Sequence, residues 1–317
     1  MTLFRKLSPL YHTKHLLRHY SRWRLFLAAI VIALSPSTCF ASLNLMTWNL
    51  EWLSLKGDIE QSKRTEGDYA ALRQIFNQQN PDLLAFQEVD SIQAITRIVP
   101  LTDYNIFLSE RALSSTSLSS QQYTGWAVRK GIKVVEHPDL SALALPGIFS
   151  YGTLRYGAYI EIRPKGREPI HLLSVHLKSG CFSQLSRKMP SCKKLSQQTD
   201  ILADWIAAKN NQGQHYVVAG DFNHFLNRYN NQLMTRLTEN EQPFLLTEGL
   251  VSQCKVKRYN TKIQRWERMV YTNLIDHIIS NRKNADNSHF SATQYHYPYH
   301  LTSNSHLSDH CPVIVKI

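Results

Sequence analysis

Short apolar runs separated by polar helical or looped stretches recur along residues 43–317. Residues 43–48 predict a first strand, which ends at Asn49-Leu50-Glu51. Tyr69, Leu72, Ile75 and Phe76 fall at helical spacing, and the pattern predicts a helix with Asp68 as its N-cap and a stop at Asn80-Pro81. Residues 82–86 predict a second strand ending at Gln87-Glu88, residues 92–99 a helix, and residues 104–108 a strand. Residues 114–120, rich in serine, read as a mobile loop. Residues 125–128 and 132–135 predict a hairpin turning at Arg129-Lys130-Gly131. Residues 158–162 and 170–175 predict another, its second strand running into His176. Ile201, Leu202, Trp205 and Ile206 give residues 195–208 an amphipathic face. Residues 216–219 predict a buried strand, 228–237 a helix, 244–251 an irregular or extended piece, 274–279 a strand, and 311–317 the closing strand.

The strand at 216–219 breaks at Gly220 and delivers Asp221 and Asn223, two residues apart. Alternation along an extended chain turns such a pair to one side. There the carboxylate could take a proton from water while the carboxamide donates to a phosphate oxygen. Asp and Asn also favour turns, because they bond the nearby backbone. The tetrapeptide therefore reads equally as an ordinary strand exit. Similar polar groups stand at the other strand ends: Asn49, Glu51, Glu88, His176, Asp276, Asp309 and His310. Singly, each has an ordinary explanation: a first solvated residue, a satisfied core histidine, a carboxylate bonded to backbone. Jointly they point to a shared site, since carboxylates at buried strand ends need a partner or a cation to offset their desolvation.

The composition of the 317 residues, 43% apolar and 19% charged, is that of a folded chain with a sizeable core, not a disordered one. No repeat or linker divides it, so one α/β domain over residues 42–317 is expected, with two packed sheets and helices outside. Residues 1–41 differ. Arg5, Lys6, Lys14, Arg18, Arg22 and Arg24 form a basic region without an acid, the apolar residues 25–34 follow, and small Cys39 and Ala41 precede a cut. That is the layout of a secretory signal peptide. Ten apolar residues are about half of the ~20 that a spanning helix needs. Without the leader the chain keeps 30 basic and 24 acidic side chains, a net +6, which is compatible with a polyanionic substrate and with an unpartnered basic surface. Four cysteines remain. Cys181 and Cys192, close in sequence around a basic loop, are expected to pair in an oxidising compartment, whereas Cys254 and Cys311 read either as a second bridge or as buried thiols.

The motifs Thr47-Trp48-Asn49-Leu50-Glu51, Ala85-Phe86-Gln87-Glu88-Val89, Ser174-Val175-His176-Leu177, Gly220-Asp221-Phe222-Asn223, Ile275-Asp276-His277-Ile278 and Ser308-Asp309-His310-Cys311-Pro312-Val313 occur in this order. In order and spacing they resemble the endonuclease/exonuclease/phosphatase superfamily. The resemblance implies a deoxyribonuclease-like four-layer sandwich, two packed mixed β-sheets flanked by helices, with the site at one edge of the sheets. It implies a divalent cation, Mg²⁺ or Mn²⁺ with Ca²⁺ as the alternative, held chiefly by Glu88 with Asn49, Glu51 and Asp309. It implies that Asp221 orients or deprotonates the attacking water and that Asn223 and His176 hold the phosphate. Asp276 is implied to fix the tautomer of His310, so that His310 can donate to the phosphate. Either Asp221 or His310 is the base on this pattern. Arg155 occupies a position like the family's phosphate-contacting arginine.

A monomeric, exported nuclease acting on DNA, and on RNA as well, is the first expectation for substrate. Lys178 and the basic pairs Arg129-Lys130, Arg187-Lys188 and Lys193-Lys194, with residues 255–258, are the candidates for tracking phosphates. A sphingomyelinase-like phosphodiesterase acting on membrane lipid is the alternative, supported by the aromatic loop Tyr295-His296-Tyr297-Pro298-Tyr299-His300. A small-molecule phosphatase and a non-catalytic binding protein complete the field, and no protein partner is legible.

Overall fold

Residues 42–113, 122–146, 154–182, 184–185, 188–229, 231–238, 243–282 and 292–317 are described by the computed structural model, in which Ser42–Ile317 forms one compact unit. The expected leader and the serine-rich loop lie outside the described residues. Two six-stranded sheets carry the architecture. The first contains β1 (Asn44–Leu53), β2 (Leu83–Val89), β3 (Tyr104–Leu108), β4 (Tyr123–Arg129), β13 (Thr293–Gln294) and β14 (Val313–Lys316), in the order β13-β14-β1-β2-β4-β3. The second contains β5 (Lys133–Glu136), β6 (Ala158–Arg163), β7 (Ile170–His176), β8 (His215–Asp221), β9 (Phe244–Leu245) and β12 (Asp276–Ser280), in the order β5-β6-β7-β8-β12-β9. A separate ribbon pairs β10 (Cys254–Asn260) with β11 (Arg265–Tyr271).

The central strands β1, β2, β7 and β8 are largely apolar at both alternating positions because each buries both faces. Leu45, Leu83, Ala85, Trp126, Ile160, Leu172, Val217 and Val313 fill the layer between the sheets. Their neighbours Met46, Trp48, Leu84 and Phe86 turn outward onto α1 (Glu66–Gln79), through Leu72, Ile75 and Phe76. On the other side Leu173, Tyr216 and Val218 turn onto α2 (Pro190–Asn211), through Leu195, Leu202 and Ile206. The result is the expected four-layer, deoxyribonuclease-like sandwich.

Pairing direction then positions the polar strand ends. β1 and β2 run parallel, as do β7 and β8, so Asn49, Glu88, His176 and Asp221 all leave at one end. Antiparallel β12 sets Asp276 directly opposite Asp221. Antiparallel β14 sets Val313 opposite Thr47, which carries Asp309 and His310, just upstream, to the same edge.

Several elements depart from the sequence reading. Asp68 is not the N-cap of α1. Thr65 is, and Asp68 completes a capping box: Thr65 Oγ1 accepts from the Asp68 N–H at 3.2 Å, and Asp68 Oδ2 accepts from the Thr65 N–H at 2.7 Å. Gly220 does not break its strand but lies inside β8, where an added Cβ would meet the Val175 carbonyl oxygen at 2.0 Å. Only glycine lets the two parallel strands approach this closely. Residues 125–135 are not a hairpin, because β4 pairs in the first sheet and β5 in the second. Alternation marks a strand without naming its partner. Arg129 is accordingly bound at the far end of the sheets, to Asp82 at 2.9 Å and to Asn80 Oδ1 at 2.7 Å, away from the polar edge. The aromatic loop divides: Tyr297 is buried, whereas His296, Tyr299 and His300 are exposed, the last two in the short helix Tyr299–Asn304. The β10–β11 ribbon escaped the sequence reading because charged side chains dominate its residues. Both cysteine pairs, Cys181–Cys192 and Cys254–Cys311, are disulfides. Among the described residues no helix is long and apolar enough to cross a membrane.

Candidate active site

Two carboxylates enter the site through unusual backbone. Glu51 and Glu88 sit at φ of +42° and +60°, where a side chain other than glycine's is uncommon. Both fall where the β1–β2 register breaks, between Asn49 and Leu53. Strain of this kind costs about 1–3 kcal/mol per residue and persists only where surrounding contacts enforce it. Here they do. Glu88 Oε2 accepts from the Trp52 N–H at 3.0 Å and its Oε1 from Asn49 Nδ2 at 3.2 Å, while Asn49 Oδ1 accepts from the Glu51 N–H at 3.0 Å. Glu51 Oε2 in turn accepts from the Asp309 N–H at 3.0 Å.

Asp221 and Asn223 do converge, by a different route from the one alternation suggests. Asn223 is left-handed, at φ +51°, and its backbone N–H donates to Asp221 Oδ1 at 2.7 Å. The turn reading and the site reading thus describe the same geometry. Asn49 Nδ2 also donates to Asp221 Oδ2, at 3.1 Å. Asn223 Nδ2 contacts Asp221 Oδ2 at 2.9 Å and the Leu177 carbonyl at 3.1 Å. With both amide hydrogens committed, Asn223 could reach a phosphate only by releasing one.

His310 Nδ1 lies 2.8 Å from Asp276 Oδ2, and its Nε2 is 3.9 Å from both Asp221 Oδ2 and Asp309 Oδ1. Burial opposes charge on this ring, but Asp276, Asp221 and Asp309 together raise its pKa well above the ordinary histidine value. His176 is the reverse case. Burial, with Arg155 and His310 nearby, pushes it well below that value. Its Nε2 stands 3.5 Å from Asp221 Oδ2 and 3.6 Å from Glu88 Oε1, and its Nδ1 is buried without a partner. Burial and the charges of Asp276 and Glu88 raise Asp221 to about 7, against the pull of His310. Glu51 rises well above the carboxylate range, by burial and then by the charges of Asp309 and Glu88.

These groups, Arg155 included, line one cleft of about 750 Å³, with Asn49 bonded beneath them. Glu51, Glu88 and Asp309 crowd together, and Arg64 and His310 offset part of the charge on Glu51 while the Arg64 guanidinium bonds the carbonyls of Leu50, Glu51 and Leu307. The three carboxylates and the Asn49 carboxamide oxygen would offer Mg²⁺ or Mn²⁺ hard oxygen ligands, but among the described residues the cleft group whose ligand atoms lie within 4.8 Å of one another is Asp221, Asp276 and His310.

Supporting residues escaped the sequence reading. His306 Nε2 faces Glu51 Oε2 at 3.3 Å, and Ser308 Oγ donates to the Asn49 carbonyl at 2.6 Å while accepting from the His310 N–H at 3.0 Å. Tyr297 donates to the His310 carbonyl and accepts from Trp48 Nε1 at 2.9 Å. Ser308, inside a recognised motif, and Tyr297, inside the aromatic loop, carried a sequence signal, whereas His306 carried none. A second His/carboxylate group, His137, Glu161 and His171, lies elsewhere on the β5–β6–β7 face, with Glu161 already bound by Arg163 at 2.5 Å.

A model of the Endonuclease/Exonuclease/phosphatase family matches residues 46–310. No curated protein matches the chain. Among solved structures, TDP2 from Caenorhabditis elegans is 17% identical, with 94% of this chain and 81% of that one covered and a TM-score of 0.60. An endonuclease/exonuclease/phosphatase family protein from Bacteroides thetaiotaomicron is 14% identical, covering 87% and 97%, at 0.54. D. rerio TDP2 in complex with a single-strand DNA product is 16% identical, covering 87% and 99%, at 0.53. At such identities the likeness concerns the fold.

Proposed function

The chain belongs to the endonuclease/exonuclease/phosphatase family, and from that premise we propose that it is an exported, divalent-metal-dependent phosphodiester hydrolase acting on nucleic acid. The observation that carries the reading is the meeting, in one cleft, of a carboxylate titrating at about 7 with a histidine held in its charged form. Both are raised, but from different starting values, so near neutral pH Asp221 can take a proton while His310 still holds one: a base beside a donor. Asp221 accepts a proton from water as the water oxygen attacks phosphorus and the ester P–O bond breaks, its electron pair leaving with the displaced oxygen. His310, oriented by Asp276, donates a hydrogen bond to the phosphoryl oxygen on which charge develops. His176, neutral, and Arg155 flank the same position. A cation held by Glu51, Glu88, Asp309 and the Asn49 oxygen would polarise the phosphoryl group and offset charge on the leaving oxygen.

Lys178 and Arg258 line the cleft too, which favours a polyanion. The same fold accommodates a single-strand DNA product in D. rerio TDP2. Tyr297, in the middle of the aromatic loop, is buried and so is withdrawn from any lipid surface, which leaves Tyr299 as the loop's exposed tyrosine. Two disulfides fit the oxidising compartment that a cleaved leader implies. To test the activity, residues 42–317 are offered plasmid DNA, RNA and sphingomyelin vesicles in Mg²⁺. The expected result is nucleic-acid cleavage that chelator abolishes and that His310→Ala lowers by about 10²–10⁴-fold. Headgroup release with DNA and RNA intact would overturn the proposal.

A further inference from the structure

Phe182 and Phe225 stack in the active-site cleft, ring centroids 5.5 Å apart and planes 25° from parallel. Nothing in the hydrolytic chemistry above uses them. Phe182 is 45% exposed, and leaving so large an apolar ring in water is unfavourable unless something covers it.

The pair is built rather than incidental. His224 Nδ1 donates to the Cys181 carbonyl at 2.7 Å, and each phenylalanine is the next residue after one of these partners. A single hydrogen bond between two loops therefore brings the rings side by side. Cys181 is further tied to Cys192, in the first turn of α2, so the loop bearing Phe182 is pinned on two sides. The Arg228 guanidinium lies 4.1 Å from the Phe225 centroid, backing the platform with a cation. Asn223 stands two residues before Phe225 and Lys178 four residues before Phe182, and both line the same cleft. A polar phosphate cradle and a rigid aromatic platform are thus joined by a few residues of chain on each side.

We propose that Phe182, backed by Phe225, is a nucleobase-stacking subsite that receives the base of a nucleotide whose phosphate occupies the cradle. The proposal rests on the nucleic-acid reading above and deepens it, because it specifies a substrate that carries a base and not only a phosphodiester. Stacking suits any base, since each has a π-face, so the platform would position substrate without selecting sequence. Its surroundings favour a base over lipid: Arg228 lies against Phe225, Lys178 lines the same cleft, and the rings lie within that cleft, not on an apolar prominence.

Thymidine 5′-(p-nitrophenyl phosphate) and methyl p-nitrophenyl phosphate share a leaving group and differ in the base. With wild type and Phe182→Ala, the ratio of kcat/KM for the first substrate to that for the second is expected to fall about 5- to 100-fold in the variant, mainly through KM, and to recover in Phe182→Trp. An unchanged ratio, or equal losses on both substrates, would overturn the subsite. Binding of fluorescent oligothymidylate in chelator reads the platform without turnover. A loss of the same size in Phe182→Ala supports the subsite even where no hydrolysis is seen, the outcome that would fault the nuclease reading alone. Equal oligothymidylate binding with lost binding to sphingomyelin vesicles would assign the rings to lipid.

Discussion

At the scale of single residues, the cleft separates two titrating groups by environment. Asp221 is raised to about 7 by burial and by its carboxylate neighbours, whereas His310 is raised because three carboxylates outweigh its burial. Activity needs Asp221 without its proton and His310 with one. The value of kcat/KM should therefore climb as pH rises through the Asp221 pKa, and fall only when His310 deprotonates, well above the ordinary histidine range. A bound cation favours the ionised carboxylate, so the acid limb lies at or below about 7 in saturating Mg²⁺. His310→Ala should erase the alkaline fall while keeping the acid limb; a profile whose alkaline limb survives that substitution would remove His310 from the donor role. Residue types were legible at this scale. Asp221, Glu88 and His310 drew attention because charge at a buried strand end demands compensation. Their backbone conformations were not legible. Nothing local announces the positive φ of Glu88, held by Trp52, or of Glu51, held by Asp309, whereas Asn223 is held by Asp221 two residues earlier.

At the scale of elements, the β10–β11 ribbon is tied to the catalytic edge by the Cys254–Cys311 bridge, whose second cysteine immediately follows His310. The bridge spans 57 positions, against 11 for Cys181–Cys192. On the chain-entropy account the longer loop contributes about 4 kcal/mol and the shorter about 3 kcal/mol. Replacing Cys254 and Cys311 by serine should thus lower Tm more than the same change at Cys181 and Cys192, as thermal unfolding would reveal. The reverse ranking would mean that native-state contacts, not loop closure, govern these bridges. Strands such as Tyr104–Leu108 were readable to the residue because their apolar runs are sharply bounded. The ribbon was not, for its buried side is reduced to Cys254 and Val256 while Lys255, Lys257 and Arg258 mask the alternation. Capping showed the same limit: Asp68 suits an N-cap, but Thr65 three residues earlier closes a reciprocal pair that a lone cap cannot match.

At the scale of the whole molecule, Ser42–Ile317 forms a compact unit, and the proposed export rests on reading residues 1–41 as a cleaved leader. Intact mass of the protein recovered from a cell envelope or culture supernatant should correspond to a start near Ser42 with four cysteines oxidised. A full-length chain with free thiols in the cytosol would contradict export. The sequence alone determined most strands of the two sheets, the two long helices and the kinds of group at the strand ends, because hydrophobic period and local polarity are written in neighbouring residues. Beyond the β6–β7 hairpin, which the sequence reading expected, the pairing of strands and its direction only the tertiary structure decided. That choice turned the 125–135 stretch into a crossing between sheets, withdrew Arg129 from the site and set Asp276 against Asp221. It also set the raised pKa of Asp221 and brought Phe182 against Phe225, since desolvation and proximity are properties of residues far apart in the chain that folding makes neighbours.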